Sequence, residues 1–261
     1  AEALTLKAFC YQQSGELQKS CDYYLRLAEQ QENKTRAYLA LAKTYFEMQD
    51  YTSSIYYIEA LLDNKDALSK YELSELYGDI ALCHAALKHI GVGQASIRRS
   101  LELNENDPDT LIVAGRFFLM EAKACNDETA KAENQAKGEL YFRQALNLIM
   151  EDERLDYLFT IGAACFDTQN FKLAAQYYEQ INREFPDNAP ATYFFLAYCY
   201  FYLEEAISCM HYIAKMKHEL PDAYSNLGTS DSILSDTRFN ELMRNLKDSV
   251  NNGKVDLDNF L

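Results

Sequence analysis

A column of small residues recurs along the chain at nearly constant spacing. Six alanines or glycines follow one another at separations of 34, 39, 34, 47 and 35 residues, each with a large apolar residue four positions earlier. They are Ala8, Ala42, Ala81, Gly115, Gly162 and Ala197. Self-similarity at a period of this length indicates a stack of short structural repeats, each too small to bury its own apolar face.

Two further columns run parallel to the first. A second small residue follows in each repeat, and these residues are Ser20, Ser54, Gly93, Gly138, Ala174 and Cys209. Four positions later comes a bulky residue, from the set Tyr24, Ile58, Ile97, Phe142, Tyr178 and Ile213. Two antiparallel helices must approach closely where they cross, so each needs a small residue there, with bulky neighbours filling the space beside it. Each repeat is therefore predicted to be a helix hairpin.

The segment from Leu155 to Asn188 shows the pattern most completely. Its marked positions are Leu158, Ile161, Gly162, Cys165, Ala174, Tyr178, Ile181 and Pro186. This order resembles the tetratricopeptide repeat, a helix-turn-helix unit of 34 residues. The resemblance implies an all-α fold, a right-handed superhelical solenoid of about six such repeats with a C-terminal capping helix.

The recurring spacing of small and bulky residues, here called the repeat frame, also predicts where each repeat begins and ends. A solenoid over residues 1–222 would contain repeats near 1–34, 35–68, 74–107, 108–152, 155–188 and 190–222. Residues 223–261 would hold a degenerate seventh repeat, a capping helix with Phe239, Leu242, Met243 and Leu246 on one face, and an acidic-apolar tail. An 11-residue insertion in the fourth repeat, within 121–137, is expected to lengthen its hairpin or to project as a contact element.

Composition excludes several other classes. With 9 Gly and 4 Pro in 261 residues, turn-rich β-folds are disfavoured, and 48% hydrophobic residues argue against disorder. A net charge of −15 disfavours nucleic acid and anionic membrane surfaces as partners. No apolar run is long enough to predict a membrane span. Seven cysteines, an odd number, favour a cytoplasmic location, while the absence of an initial Met leaves an exported one open.

Neither catalytic nor cofactor-binding motifs are evident. The sequence has no phosphate-binding loop, nucleophile elbow or dinucleotide fingerprint. His211 and His218 lie seven residues apart, about 10 Å along a helix, which is too far for one metal ion. His84 falls in an aromatic column and is expected to pack in the core. We therefore predict no catalytic residue, no metal site, no cofactor and no enzymatic activity.

Cysteine pairs offer an alternative to that prediction. Cys10 with Cys21, and Cys199 with Cys209, lie on the two helices of one predicted hairpin. Either pair could meet across its hairpin and act in redox chemistry. The alternative interpretation is that these residues are small apolar side chains at close helix contacts.

The resemblance also implies a binding surface. In tetratricopeptide-repeat proteins the first helices of successive repeats line a concave groove that binds extended peptides or partner helices. When these groove positions are transferred to the matching repeat positions of this sequence, the resemblance implies the following partner-binding residues: Phe9, Leu39, Lys43, Phe46, Leu82, Ile112, Arg116, Leu119, Phe159, Phe166, Phe194, Tyr198, Phe201 and Tyr202. Only Lys43 and Arg116 are basic, so a ligand with aromatic or aliphatic anchors is expected rather than an acidic chaperone tail.

Two alternatives concern the groove itself. Some of its residues are expected to pack between repeats, and the C-terminal segment is an alternative occupant.

The predicted function is a non-enzymatic protein–protein interaction scaffold. The alternatives are a self-associating structural or envelope-assembly component, hence a homo-oligomer, and, as a minor alternative, an enzyme or an accessory subunit of one.

Overall fold

A computed structural model describes residues 1–65, 68–226 and 232–251, with the backbone alone at 226 and 249–251. All regular secondary structure in these ranges is helical. The chain divides into two compact units, Ala1–Leu148 (unit 1) and Ile149–Leu261 (unit 2). The prediction of an all-α fold built from helix hairpins is confirmed.

Unit 1 consists of four hairpins that stack in chain order. Its described residues form α1 (Glu2–Gln13), α2 (Leu17–Ala28), α3 (Lys34–Glu47), α4 (Tyr51–Leu62), α5 (Lys70–Ala86), α6 (Ile90–Leu103), α7 (Pro108–Ala124) and α8 (Glu128–Leu146). Most of the fourth-repeat insertion lies in the last turn of α7 and the first turns of α8, so it lengthens this hairpin.

The described part of unit 2 consists of two hairpins followed by two further helices. Its described residues form α9 (Arg154–Asp167), α10 (Phe171–Glu184), α11 (Tyr193–Tyr202), α12 (Ala206–Glu219), α13 (Pro221–Asn226) and α14 (Thr237–Asn251), with short 3₁₀ turns at Pro186–Thr192 and Ile233–Ser235. α14 packs against α12 and carries Phe239 on its buried side. The predicted tail at 255–261 lies outside the described residues.

Capping residues in the sequence determine where several helices begin. The carboxylates of Asp50 and Asp107 accept hydrogen bonds from the backbone amides three residues later, at 3.1 and 2.8 Å. Ser69 and Glu72 form a reciprocal capping box at the start of α5. Each cap provides a partner for a helix-terminal amide that would otherwise have none within the helix.

The two columns of small residues meet where the helices of each hairpin cross. The Ser20 hydroxyl donates to the Ala8 carbonyl at 2.9 Å across the first hairpin. In the fourth hairpin, a Cβ on Gly138 would lie 2.9 Å from the Gly115 carbonyl oxygen. A larger side chain at such a crossing would force the backbones apart, which explains the recurrence of small residues.

The turns of five hairpins share one strained backbone position. Gly15, Gln49, Lys88, Gln169 and Glu204 each end a first helix with a positive φ between 59° and 77°. The amide of the next residue then bonds to the carbonyl five positions earlier, as from Asp50 to Tyr45 at 2.9 Å. Only the first of the five is glycine, although this conformation disfavours residues with a side chain. Gly91, by contrast, lies in the first turn of α6.

Candidate functional site

The predicted partner-binding residues all lie on the first helices of the hairpins. In unit 1 these are α1, α3, α5 and α7, and in unit 2 they are α9 and α11. They form two surfaces, one in each unit. The unit 1 face comprises Phe9, Leu39, Lys43, Phe46 and Arg116, and the unit 2 face comprises Phe159, Phe166, Phe194, Tyr198 and Tyr202.

Four of the predicted residues are not surface residues. Leu82, Ile112, Leu119 and Phe201 are buried. For the first three, the expectation that they face a ligand needs correction, whereas Phe201 is covered by the chain's own Arg238 and Phe239. Neighbouring first helices pack directly on one another: a Cβ added to Gly78 of α5 would lie 2.9 Å from Val113 of α7. At such close approach, inward-facing side chains of the two helices belong to the core between repeats, as one of the alternatives anticipated.

The unit 1 face combines an aromatic ring with opposite charges. The Arg116 guanidinium lies 5.7 Å from the Phe46 ring centroid, a cation–π contact between α7 and α3. Lys43 is exposed on α3. Sequence reasoning identified these residues but missed Asp79 on α5, which lies close enough to Lys43 and Arg116 to interact electrostatically with both.

Asp79 is half-buried, and its ionisation is perturbed. Burial raises the pKa of Asp79 to about 6, while Lys43 and Arg116 act in the opposite direction. Burial likewise raises the pKa of the neighbouring Glu75 on α5. The available sequence signal was the position of Asp79 directly after Gly78, whose missing side chain lets α5 and α7 approach. The unit 1 face is therefore a mixed-charge surface and not a basic one.

The unit 2 face is a continuous aromatic cluster. Phe166 of α9 lies 5.5 Å from Phe195 and 6.4 Å from Tyr198 between ring centroids, both on α11. Phe194 lies 4.6 Å from Tyr198. Phe194 is 38% exposed, so its ring reaches the surface of unit 2.

A second ring stack extends the unit 2 face. Phe171, at the start of α10, stacks on Tyr202 at 4.4 Å, and Tyr202 is 42% exposed. Neither Phe171 nor Phe195 was predicted, because both lie outside the columns that the repeat frame assigns to the groove. They were identifiable only as aromatic residues next to predicted ones.

The end of the unit 2 face contacts the chain's own C-terminal part. Tyr198, Phe201 and Tyr202 line one side of a pocket of about 500 Å³, and the other side is lined by Ser232, Ile233, Ser235 and Asp236. The expected alternative occupant of the groove, a C-terminal segment, thus lies beside α11 in this structure.

Five of the seven cysteines are buried packing residues. All seven are free thiols, and Cys10 is exposed whereas Cys21 is buried. Burial raises the pKa of Cys21 and Cys83 to about 11, and that of Cys199 and Cys209 to about 12. Because the thiolate is the nucleophile, these thiols are poorly reactive at neutral pH.

His84 differs from its prediction as a core residue. It is half-buried at the end of α5, with its Nδ1 3.4 Å from Nδ1 of His89. Burial and the neighbouring His89 lower the pKa of His84. Among the described residues, no group of three or more His, Cys, Asp or Glu side chains is placed to hold a metal ion. None of the described helices combines the length and apolar character needed to cross a membrane.

Comparison with known families gives a match within unit 1. The tetratricopeptide repeat model matches residues 35–67, which contain the hairpin of α3 and α4. A comparison with curated proteins finds no match. Tetratricopeptide repeats generally mediate protein–protein interactions, and proteins built from them are typically non-enzymatic. The chain therefore contains a tetratricopeptide repeat at residues 35–67, within an all-helical architecture of hairpins.

Proposed function

We propose that this protein is a non-enzymatic scaffold that binds a peptide or partner helix through the first-helix faces of its repeats, chiefly the unit 2 face. The observation that carries the proposal is the exposure of Phe194 and Tyr202 within a continuous aromatic cluster. Soluble proteins rarely leave aromatic rings clustered on a surface unless that surface binds something.

The chemistry of the unit 2 face favours an apolar or amphipathic ligand. Complete burial of one large apolar side chain is worth roughly 1.5–3 kcal/mol. Aromatic residues also dominate binding energy at protein interfaces because they present a large area with few rotatable bonds. An amphipathic helix would lay its apolar side along such a surface, with anchors one helical turn apart.

The unit 1 face would select its ligand differently. Lys43, Asp79 and Arg116 alternate in charge beside the Phe46 ring. A ligand there must match both signs, because a charge left unpaired beside the half-buried Asp79 would weaken binding. We therefore propose that the unit 2 face binds an apolar anchor and that the unit 1 face, by itself, selects a ligand of matching charge.

Site-specific photo-cross-linking tests this proposal. A benzophenone amino acid replaces Phe194, and in a matched control it replaces Met210, which is also exposed but lies on the second helix α12. In cells that express the protein, position 194 is expected to give discrete protein adducts that position 210 does not. Equal adducts from the two positions, or none from 194, would contradict the assignment.

A second candidate function rests on the N-terminal hairpin. Leu6 and Phe9 of α1 are both more than half exposed, so copies of the chain could pair through α1. Light scattering across a concentration series discriminates the two functions. A concentration-dependent dimer that Phe9→Glu abolishes would favour the self-associating component, whereas a monomer throughout would exclude it.

A further inference from the structure

Residues 232–239, here named the cis segment, pack against the end of the unit 2 face. Their sequence is Ser-Ile-Leu-Ser-Asp-Thr-Arg-Phe, which forms a 3₁₀ turn and then starts α14. The segment contacts Tyr198, Phe201 and Tyr202, all on α11. Its contacts therefore show which side chains this surface accommodates.

The first anchor is aliphatic. Ile233 is 1% exposed, and it lines the pocket together with Tyr198 and Phe201. The backbone of Ile233 also lies beside the Tyr198 hydroxyl and opposes the rise that burial causes in the pKa of Tyr198. Ile233 therefore lies beside both the ring and the hydroxyl of Tyr198.

The second anchor is a cation. The Arg238 guanidinium lies 5.2 Å from the Phe201 ring centroid and 5.3 Å from that of Tyr202. The Asp236 carboxylate accepts a hydrogen bond of 2.6 Å from Arg238 and so orients the guanidinium. Two electron-rich ring faces beside one guanidinium favour arginine over a neutral side chain.

The contact is incomplete. The pocket of about 500 Å³ remains between the segment and α11, and Tyr202 stays 42% exposed. Interiors are normally packed without such gaps, and surfaces that lack partner atoms forfeit dispersion energy. A few side chains therefore hold the segment, among them Ile233, Arg238 and Phe239.

We propose that the end of the unit 2 face is a binding site for segments that carry an aliphatic residue and, five positions later, an arginine. The cis segment is its intramolecular ligand, and an external segment of the same chemistry competes with it. This inference rests on the proposed function and specifies the ligand. Competition is expected to be strong, because a tethered segment acts at an effective concentration on the order of millimolar.

The test uses a fluorescein-labelled peptide of residues 232–251 and the full chain, with binding followed by fluorescence anisotropy. The Ile233→Asp chain should bind the peptide at least tenfold more tightly than wild type, because a buried carboxylate displaces the cis segment. A peptide carrying Arg238→Ala should bind the Ile233→Asp chain several-fold more weakly than the parent peptide, and a scrambled peptide should not bind.

Circular dichroism checks that Ile233→Asp is folded, and full-length Arg238→Ala serves as a milder releasing variant with the same direction of effect. Equal affinity for wild type and released chains, equal binding of the scrambled peptide, or no binding to either released chain would overturn the inference. The peptide assay needs no cellular partner, whereas cross-linking at Phe194 does. Failure of this inference is therefore distinguishable from failure of the proposed function.

Discussion

The hydroxyl of Ser54 on α4 donates a hydrogen bond of 2.9 Å to the backbone carbonyl of Ala42 on α3. The same bond joins Ser20 to Ala8 in the preceding hairpin, also at 2.9 Å. These residues belong to the two recurring columns of small side chains, so the columns mark the points where the paired helices touch. Hairpin geometry therefore depends on residue size at these crossings.

Enlarging a crossing residue is expected to destabilise the protein. In Gly138→Ala the new methyl would lie 2.9 Å from the Gly115 carbonyl oxygen, which belongs to a helix backbone and cannot move away cheaply. We expect a loss of about 1–3 kcal/mol in the free energy of unfolding, from overpacking. Urea denaturation followed by circular dichroism measures it.

Gly91→Ala is the matched control for that substitution. Gly91 also lies in a helix, but a Cβ there meets nothing within 4 Å. Alanine is the better helix former, so this variant should be unchanged or more stable by up to about 1 kcal/mol. Similar losses in the two variants would contradict the role of the crossings.

The positive-φ positions in the hairpin turns predict opposite effects on stability for two substitutions. Gln169 has a φ of 62°, where a side chain costs roughly 1–2 kcal/mol, so Gln169→Gly should stabilise the protein slightly after the entropy of glycine is subtracted. Gly15→Ala, at a φ of 77°, should destabilise it by about 1 kcal/mol. The urea midpoints of the two variants should shift in opposite directions. A shift in the same direction would contradict the conclusion that a side chain at the positive φ of Gln169 destabilises the fold.

Asp79 should make stability depend on pH. Because burial raises the pKa of Asp79 to about 6 from 3.8, the folded state binds its proton more tightly than the unfolded state does. Its destabilising effect is complete above pH 6 and is relieved as the pH falls from 6 towards 3.8. Asp79→Asn should therefore stabilise the protein at pH 7.5, by up to about 3 kcal/mol, and progressively less towards pH 4.

Chemical denaturation at pH 7.5, 6 and 4.5 measures the Asp79 effect. Asp63→Asn, an exposed position at the end of α4, controls for the loss of one negative charge from a chain of net charge −15. A stabilisation by Asp79→Asn that matches this control, or that is constant with pH, would show that Asp79 does not titrate as the structure implies.

Thiol reactivity should follow burial. Cys10 is exposed and Cys125 is half-exposed, whereas the other five cysteines are buried. In the native state we expect two thiols to react rapidly with Ellman's reagent, and all seven in denaturant. Rapid reaction of a buried cysteine such as Cys199 would revive the redox alternative, because burial raises the pKa of that thiol to about 12.

The sequence predicted the hairpins because their determinants are local. Small residues such as Gly162, with bulky neighbours such as Tyr178 at fixed offsets, specify a close crossing without reference to the rest of the chain. The binding faces were predicted less completely. Whether Leu82 is buried, or Asp79 lies near Arg116, depends on how neighbouring first helices rotate against each other, which the repeat frame does not encode.

The contact between Arg238 and α11 was equally inaccessible from the sequence. Arg238 lies 36 residues after Tyr202 and outside the repeat frame. Sequence reasoning identified the apolar side of α14, which follows from helical periodicity alone. A cation–π contact over that distance in sequence carries no periodic signal, and only the folded chain reveals it.

The measurement that tests the central claim most directly is the affinity of the cross-linked partner for two full-length variants. Phe159→Glu/Phe194→Glu places two carboxylates on the unit 2 face, and Met210→Glu places one on the second helix α12. The account predicts that the double variant loses at least 100-fold in affinity, about 2.7 kcal/mol, while Met210→Glu binds like wild type. Wild-type affinity in the double variant, with its fold intact by circular dichroism, would contradict the assignment of the binding surface.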